Sequence, residues 1–205
     1  MKTNDTNSVI FQELLNYGGG VREQKILKWL LKIYRILFYS KKAKYNRALP
    51  WGDYFVDRWE KAKELGFGEG SSIYDSALVF DNVKVGAKTW IGPFVVLDGS
   101  GGLEIGANCS ISSGVQIYSH DSVKWAISGG KASYEYAPTR IGNNCYIGPN
   151  VIISKGVVIG DGCIIGANSV VMSNIPPHSK AVGAPCTVIG TVGYDDIERN
   201  YNVAE

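Results

Sequence analysis

The sequence has few of the residues that build disulfide frameworks and metal centres. Its 205 residues include four cysteines, with no CxxC pair, and two histidines. A disulfide scaffold and a cysteine-rich zinc module are therefore excluded, and a reduced, cytoplasmic protein is expected. A zinc site with three histidine ligands is excluded as well, because the chain has only two.

Long apolar runs and a strong charge excess are also missing. No stretch approaches the roughly 18 apolar residues of a transmembrane helix, and residues 1–16 lack the basic start and apolar run of a signal peptide. The net charge of +2 hides an asymmetry: residues 1–47 hold ten Lys/Arg against three Asp/Glu, and residues 48–205 hold eleven against sixteen. The acidic balance of the larger part argues against a nucleic-acid partner.

Residues 1–70 are predicted to form a helical extension. A helix is expected over residues 21–45, with a basic stripe on one side and apolar residues on the other. It can pack its apolar side on the rest of the protein or on a partner subunit, which we favour, or lie on the inner, anionic face of a membrane. A second helix is expected from Asp53, as its N-cap, to Leu65, ended by Gly66 and covering the open end of the following domain. The members of the basic stripe are Lys25, Lys28, Lys32 and Arg35.

A branched aliphatic residue recurs every six positions from Ile73 to Val171, with a two-residue slip after Leu97 and a longer break after Ile117. A period of six fits neither a helix nor a simple alternating strand. It is typical of short strands joined by tight turns, whose stacked coils share one core. The series consists of Ile73, Val79, Val85, Ile91, Leu97, Ile105, Ile111, Ile117, Ile141, Ile147, Ile153, Ile159, Ile165 and Val171.

This pattern resembles that of the hexapeptide-repeat acyltransferases over residues 73–175, and the block from Ala137, APTRIGNNCYIGPNVIISKGVVIG, resembles the galactoside, maltose and xenobiotic acetyltransferase branch. The resemblance implies a mainly β fold, a left-handed parallel β-helix of four to five coils over residues 71–190, and a C-terminal tail over 191–205. It also implies acetyl-CoA as co-substrate, no metal, and a homotrimer with active sites between subunits.

Residues 118–140 abandon the six-residue period and form a polar, aromatic excursion, which is where function is expected. His120 opens the excursion, and the resemblance gives it the role of catalytic base, for which an imidazole suits neutral pH. The branch carries a loop glutamate before its proline. Counting back from Pro138, that position is Ser133, so Glu135 is the nearest carboxylate. Asp98 is the polar candidate where the branch has a substrate-binding asparagine, and both residues are therefore further catalytic candidates.

Two further sets of residues are candidates for substrate binding. The aromatic side chains of the excursion can stack on a sugar or on pantetheine, or they can pack the loop on a neighbouring subunit. The acceptor set is Tyr118, Asp121, Trp125 and Tyr136. The resemblance places CoA along the later coils, where small residues allow close backbone approach and lysines can meet its phosphates. The CoA set is Gly148, Ser154, Lys155, Gly166, Ala167 and Lys180.

The resulting hypothesis is an acetyl-CoA-dependent O- or N-acetyltransferase. Its acceptor is expected to be a sugar, nucleotide-linked or polymeric, because the excursion resembles those of enzymes for surface polysaccharides such as lipopolysaccharide. Two alternatives stay open: an acetyltransferase for a non-sugar small molecule, and a β-helix scaffold without chemistry.

Overall fold

The chain forms two compact units, residues 1–55 and 56–205. A computed structural model describes residues 20–193 of them. The predictions for residues 1–16 and for most of the 191–205 tail lie outside this range. The helix that follows residue 55 packs on the first strand of the second unit.

The first unit contains helix α1 (Val21–Tyr45) and the short helix α2 (Gly52–Phe55). α1 ends where Asn46 adopts a left-handed conformation and its N–H donates to the carbonyl of Lys42. The Tyr34 ring stacks on Trp51 at 4.6 Å between centroids and meets Tyr54 edge-on at 5.4 Å. No side chain of α1 is fully buried, and no helix within residues 20–193 has the length and apolarity to cross a bilayer.

The single helix predicted over residues 53–65 is wrong. The segment holds two helices, α2 and then α3 (Arg58–Glu64). Asp57, not Asp53, is the N-cap of α3, because its carboxylate accepts hydrogen bonds from the backbone N–H groups of Trp59 and Glu60. Asp53 lies inside α2.

The second unit is a left-handed parallel β-helix built from three faces of short strands. The first face stacks six parallel strands: β1 (Ser72–Ile73), β3 (Trp90–Ile91), β5 (Ser110–Ile111), β10 (Tyr146–Ile147), β13 (Ile164–Ile165) and β15 (Ser179–Val182), with β16 (Thr187–Thr191) antiparallel at its edge. The second and third faces share β2 (Leu78–Val85) and β4 (Val96–Ile105), which each turn a corner, and add β6 (Gln116–Ile117), β9 (Thr139–Ile141), β11 (Ile152–Ile153), β12 (Val158–Ile159) and β14 (Val170–Val171).

The predicted aliphatic residues form the core, each above its equivalent in the preceding coil. On the first face the register aligns Ile73, Ile91, Ile111, Ile147, Ile165 and Ala181, all 0% exposed. On the second face it aligns Val79, Leu97, Ile117, Ile153 and Val171. On the third it aligns Val85, Ile105, Ile141, Ile159 and Ile175. This buried column is the continuous apolar core expected of a period of six.

The expected count of four to five coils is too low, since six strands stack on the first face. The last coil was missed because the chain slips between Val171 and Ile175. Ile175 pairs with Ile159 and Ala181 with Ile165, so both continue the core in a new frame.

The excursion over residues 118–140 leaves the β-helix at one corner. It contains β7 (His120–Asp121), helix α4 (Val123–Ile127) and β8 (Glu135–Tyr136), which pairs antiparallel with β7. The buried hydroxyl of Thr139 donates to the carbonyl of Tyr118 at 2.7 Å and so closes the base of the excursion.

Candidate active site

Asp98 and His120 meet where the excursion leaves the coil. Asp98 follows Leu97 directly, Ser119 and His120 follow Ile117, and Leu97 pairs with Ile117. The register of two neighbouring coils therefore brings both side chains together. Nδ1 of His120 lies 2.6 Å from Oδ2 of Asp98.

The glycine-rich segment after Asp98 shapes this contact. A Cβ added at Gly101 would collide with the carbonyl oxygen of Ser119, so only glycine permits the approach. The N–H of Gly101 donates to the Ser119 hydroxyl at 2.8 Å, and that hydroxyl donates to the carbonyl of Asp98 at 2.7 Å. The segment in which the six-residue period slips after Leu97 therefore positions Asp98 beside the excursion.

The carboxylate of Asp98 is held ionised by several donors. Burial alone would raise its pKa, but hydrogen bonds from the Ser100 side chain, from the Ser119 and Ser100 backbone N–H groups and from His120 outweigh burial and lower the pKa to about 2. Asp98 is 2% exposed. A buried carboxylate that stays charged fixes the orientation of the imidazole.

Nε2 of His120 is the ring nitrogen left for a reacting group, because Nδ1 faces Asp98. The His120 side chain is 32% exposed. Its ring lies nearly parallel to Tyr136, with centroids 5.8 Å apart, and to Tyr134, at 6.2 Å. Trp125 meets Tyr134 edge-on at 5.7 Å, so two aromatic rings border the imidazole and a third packs on one of them.

The four predicted acceptor-binding residues make different contacts. Tyr136 is exposed beside the imidazole, and Trp125 is exposed against Tyr134. The Tyr118 hydroxyl donates to the Gln116 side chain at 2.7 Å. Asp121 accepts from the Val123 N–H and pairs with Lys155 of the β-helix at 2.9 Å, so its carboxylate already has partners.

Glu135 is not the partner of His120; Asp98 is. The Glu135 carboxylate pairs with Lys124 at 2.6 Å and with Lys155 at 3.5 Å. On β8 it lies opposite Asp121, one position away from the residue that faces His120. The count back from Pro138 could not show this, because the contact with Asp98 depends on the register of different coils.

Of the residues predicted to meet CoA, Gly148, Gly166 and Ala167 lie on neighbouring coils, and Ser154 and Lys155 follow β11. A Cβ added at Gly148 would lie 2.6 Å from the Ala167 nitrogen, and one at Gly166 would lie 2.6 Å from the Val182 side chain, so both glycines lie directly against the next coil. Ala167 is exposed at a corner, the Ser154 N–H donates to the Val171 carbonyl, and Lys180 lies on β15. Ser100 and Ser119 are site residues that sequence reasoning missed, although Ser119 directly precedes His120.

Fold and site define a β-helical transferase with an Asp–His pair at the root of a loop. The family described as bacterial transferase hexapeptide (six repeats) matches residues 138–172. A maltose O-acetyltransferase from Clostridium difficile 630 is 30% identical, covering 81% of this chain and 86% of its own, with a TM-score of 0.52. The chain therefore belongs to the hexapeptide-repeat acyltransferases.

Two more distant solved structures share the fold. The N-acyltransferase AntD from Bacillus cereus, in complex with dTDP and 3-hydroxybutyryl-CoA, is 21% identical over 71% of this chain and 96% of its own, with a TM-score of 0.56. A hexapeptide-repeat acetyltransferase from Vibrio cholerae O1 biovar eltor, complexed with acetyl coenzyme A, is 22% identical over 86% and 93%, with a TM-score of 0.54. A sequence search of curated proteins gave no significant match.

Proposed function

We propose that the protein transfers an acetyl group from acetyl-CoA to a hydroxyl or amino group of a sugar, with His120 as general base. The observation that carries the proposal is the 2.6 Å contact between Asp98 and His120 at the root of the excursion. The donor is inferred from the solved relatives, which contain acetyl-CoA or an acyl-CoA. The sugar is inferred from the maltose O-acetyltransferase and from the dTDP bound to AntD.

The proposed reaction is direct. Nε2 of His120 takes the proton from the acceptor O–H or N–H as the acceptor attacks the thioester carbon. The new C–O or C–N bond forms as the C–S bond breaks, and the departing CoA thiolate then takes the proton from Nε2, so CoA leaves as the thiol and the imidazole is regenerated. Asp98 keeps Nδ1–H oriented and stabilises the imidazolium that forms in between.

The aromatic rings beside His120 fit a pyranose acceptor. Trp125, Tyr134 and Tyr136 are all exposed, and aromatic faces stack on the apolar faces of sugars. A role in surface-polysaccharide synthesis, a homotrimer with sites between subunits, and contact of α1 with an anionic membrane remain predictions.

The test is CoA thiol release with wild type, His120→Ala and His178→Asn. Acceptors are amino sugars, nucleotide-linked amino sugars and deacetylated polysaccharide. We expect acceptor-dependent release that falls about 10²- to 10⁴-fold in His120→Ala. His178→Asn, which alters the other histidine at a left-handed corner that asparagine tolerates, should keep the wild-type rate.

Release that survives His120→Ala would show that another group handles the proton. Absence of release with every acceptor, together with absence of CoA binding, would favour the scaffold alternative.

A further inference from the structure

Four charged side chains form a cluster beneath the excursion, which we call the excursion ion cluster: Asp121, Lys124, Glu135 and Lys155. Nζ of Lys155 lies 2.9 Å from Asp121 and 3.5 Å from Glu135, and Nζ of Lys124 lies 2.6 Å from Glu135. Two positive and two negative charges alternate, so the cluster is neutral as a whole. The Lys155 side chain is the least exposed of the four, at 23%.

The members of the cluster come from different elements. Asp121 lies on β7 beside His120, and Glu135 lies opposite it on β8. Lys124 belongs to α4. Lys155 belongs to the turn between β11 and β12, which is part of the β-helix itself. Lys155 is therefore the member that joins both strands of the excursion to the coil.

We propose that Lys155 is a positioning residue, which clamps the β7–β8 ribbon on the coil and so holds His120 and Tyr136 in place for the transfer. The inference rests on the proposed function only for its effect on catalysis. It replaces the sequence-based expectation that Lys155 contacts a CoA phosphate.

The clamp explains the surroundings of Lys155 better than a phosphate contact does. A phosphate would have to displace two carboxylates that already neutralise the ammonium. The hydrogen bond from Lys155 to Asp121 raises the pKa of Lys155, and the attraction of Glu135 adds to it, although partial desolvation opposes both. Lys155 also lowers the pKa of Asp121. The ion pairs therefore persist over the neutral range.

Loss of the Lys155 charge has an electrostatic consequence for His120. Asp121, whose charge interacts with His120, would lose its counter-charge, whereas Glu135 would keep Lys124, so the net negative charge acting on the imidazole would rise. The acid limb of the kcat/KM profile should then move to higher pH. The titratable groups in contact with the ring are Asp98 on β4 and Tyr134 and Tyr136 of the excursion, and the excursion ion cluster adds Asp121 on β7, Lys124 on α4, Glu135 on β8 and Lys155 of the coil.

The experiment uses the full chain in four forms: wild type, Lys155→Gln, Lys155→Arg and Glu135→Gln. Lys131→Gln, an exposed lysine of the same excursion, is the matched control for loss of one positive charge. Amide hydrogen exchange over residues 120–136 is measured first, without substrate. Then kcat, KM for acetyl-CoA and the pH profile of kcat/KM are measured.

In Lys155→Gln we expect the exchange rates of the amides in the β7–β8 ribbon to rise about tenfold or more, because local opening of the ribbon no longer has to break the ion pairs with Lys155. We expect kcat to fall about 10- to 100-fold through misplacement of the base, with KM for acetyl-CoA within about twofold of wild type. The acid limb should rise by a few tenths of a pH unit. Glu135→Gln should change exchange in the same direction, Lys155→Arg should restore it, and Lys131→Gln should change neither.

Unchanged exchange in both Lys155→Gln and Glu135→Gln would overturn the clamp. A raised KM for acetyl-CoA with unchanged exchange and kcat would instead identify a phosphate contact. The exchange arm needs no turnover, so it decides the clamp even if wild type transfers no acyl group. Failure of the proposed function and failure of the clamp are thus distinguishable.

Discussion

The carboxylate of Asp98 is buried, yet it accepts hydrogen bonds from Ser100 and Ser119 and faces the imidazole of His120. Its donors stabilise the ionised form in the folded state, where the pKa is about 2, whereas an unfolded aspartate titrates near pH 3.9. The lowered pKa of Asp98 therefore stabilises the folded protein at pH values above the pKa of the unfolded state. That contribution is lost as the pH falls through about 2.

We predict that wild type loses on the order of 2 kcal/mol more unfolding free energy between pH 5 and pH 2 than Asp98→Asn does. Urea unfolding followed by circular dichroism at several pH values measures this difference. Glu69→Gln, which removes an exposed carboxylate, should keep the wild-type pH dependence. If the free energy of unfolding of wild type and of Asp98→Asn changed with pH in parallel, Asp98 would not be preferentially ionised in the folded protein.

Single residues were the part of the site that sequence reasoning located least well. His120 and Asp98 were both named, but their contact was not, since it depends on which residues of successive coils share a register. Glu135 was chosen by its distance from Pro138 along the chain, which says nothing about the lysines that pair with it. A pairing between coils requires the register, and the slip after Leu97 shifts that register by an amount that one sequence does not reveal.

At the scale of secondary-structure elements, the coils stack so closely that most glycines after the aliphatic positions lie against the next coil. Gly148 is such a case: a Cβ there would lie 2.6 Å from the nitrogen of Ala167 and 2.9 Å from the carbonyl oxygen of Ile165. Both atoms belong to the backbone, so neither can rotate away. The glycine is thus needed for stacking, whatever it contacts in a complex.

We predict that Gly148→Ala lowers the free energy of unfolding by about 1–3 kcal/mol, because the coils must separate locally. Gly190→Ala is the matched control, since a Cβ at Gly190 meets nothing within 4 Å. Thermal and urea unfolding of both variants test the prediction. Equal stability of the two variants would mean that the coils can absorb a methyl group at residue 148.

The element pattern was predictable wherever the spacing stayed regular. Every aliphatic residue of the six-residue series from Ile73 to Val171 is buried except Val79, which is partly buried against the core, because the period follows from strand and turn length alone. The last coil and the break between α2 and α3 were not predicted. The last coil depends on the slip before Ile175, which interrupts the six-residue period. The break between the helices depends on the N-cap at Asp57, which interrupts a run of residues that helix propensity alone would continue.

At the scale of the β-helix as a whole, the outward side chains differ between faces. On the second face the outward row is largely apolar: Leu78, Val96, Gln116, Ile152 and Val170. On the third face the outward row is largely charged: Lys84, Glu104, Arg140 and Val158. Glu104 there pairs with Lys84 at 3.6 Å and with Arg140 at 3.3 Å, so the third face satisfies its own charges. A contiguous apolar row on an otherwise polar β-helix is typical of an association surface.

We predict that the protein is a trimer joined through the second face. Sedimentation equilibrium or light scattering of wild type should give the mass of three copies of the 22.3 kDa chain. Ile152→Glu places a charge in the apolar row and should yield a monomer, because an unpaired carboxylate is costly to bury in an interface. Val158→Glu, in the charged row of the third face, should leave the trimer intact.

If the active sites lie between subunits, Ile152→Glu should also lose transferase activity, while the circular dichroism spectrum of each chain stays that of the folded protein. If Ile152→Glu remains a trimer and Val158→Glu is a monomer, the interface lies on the third face instead.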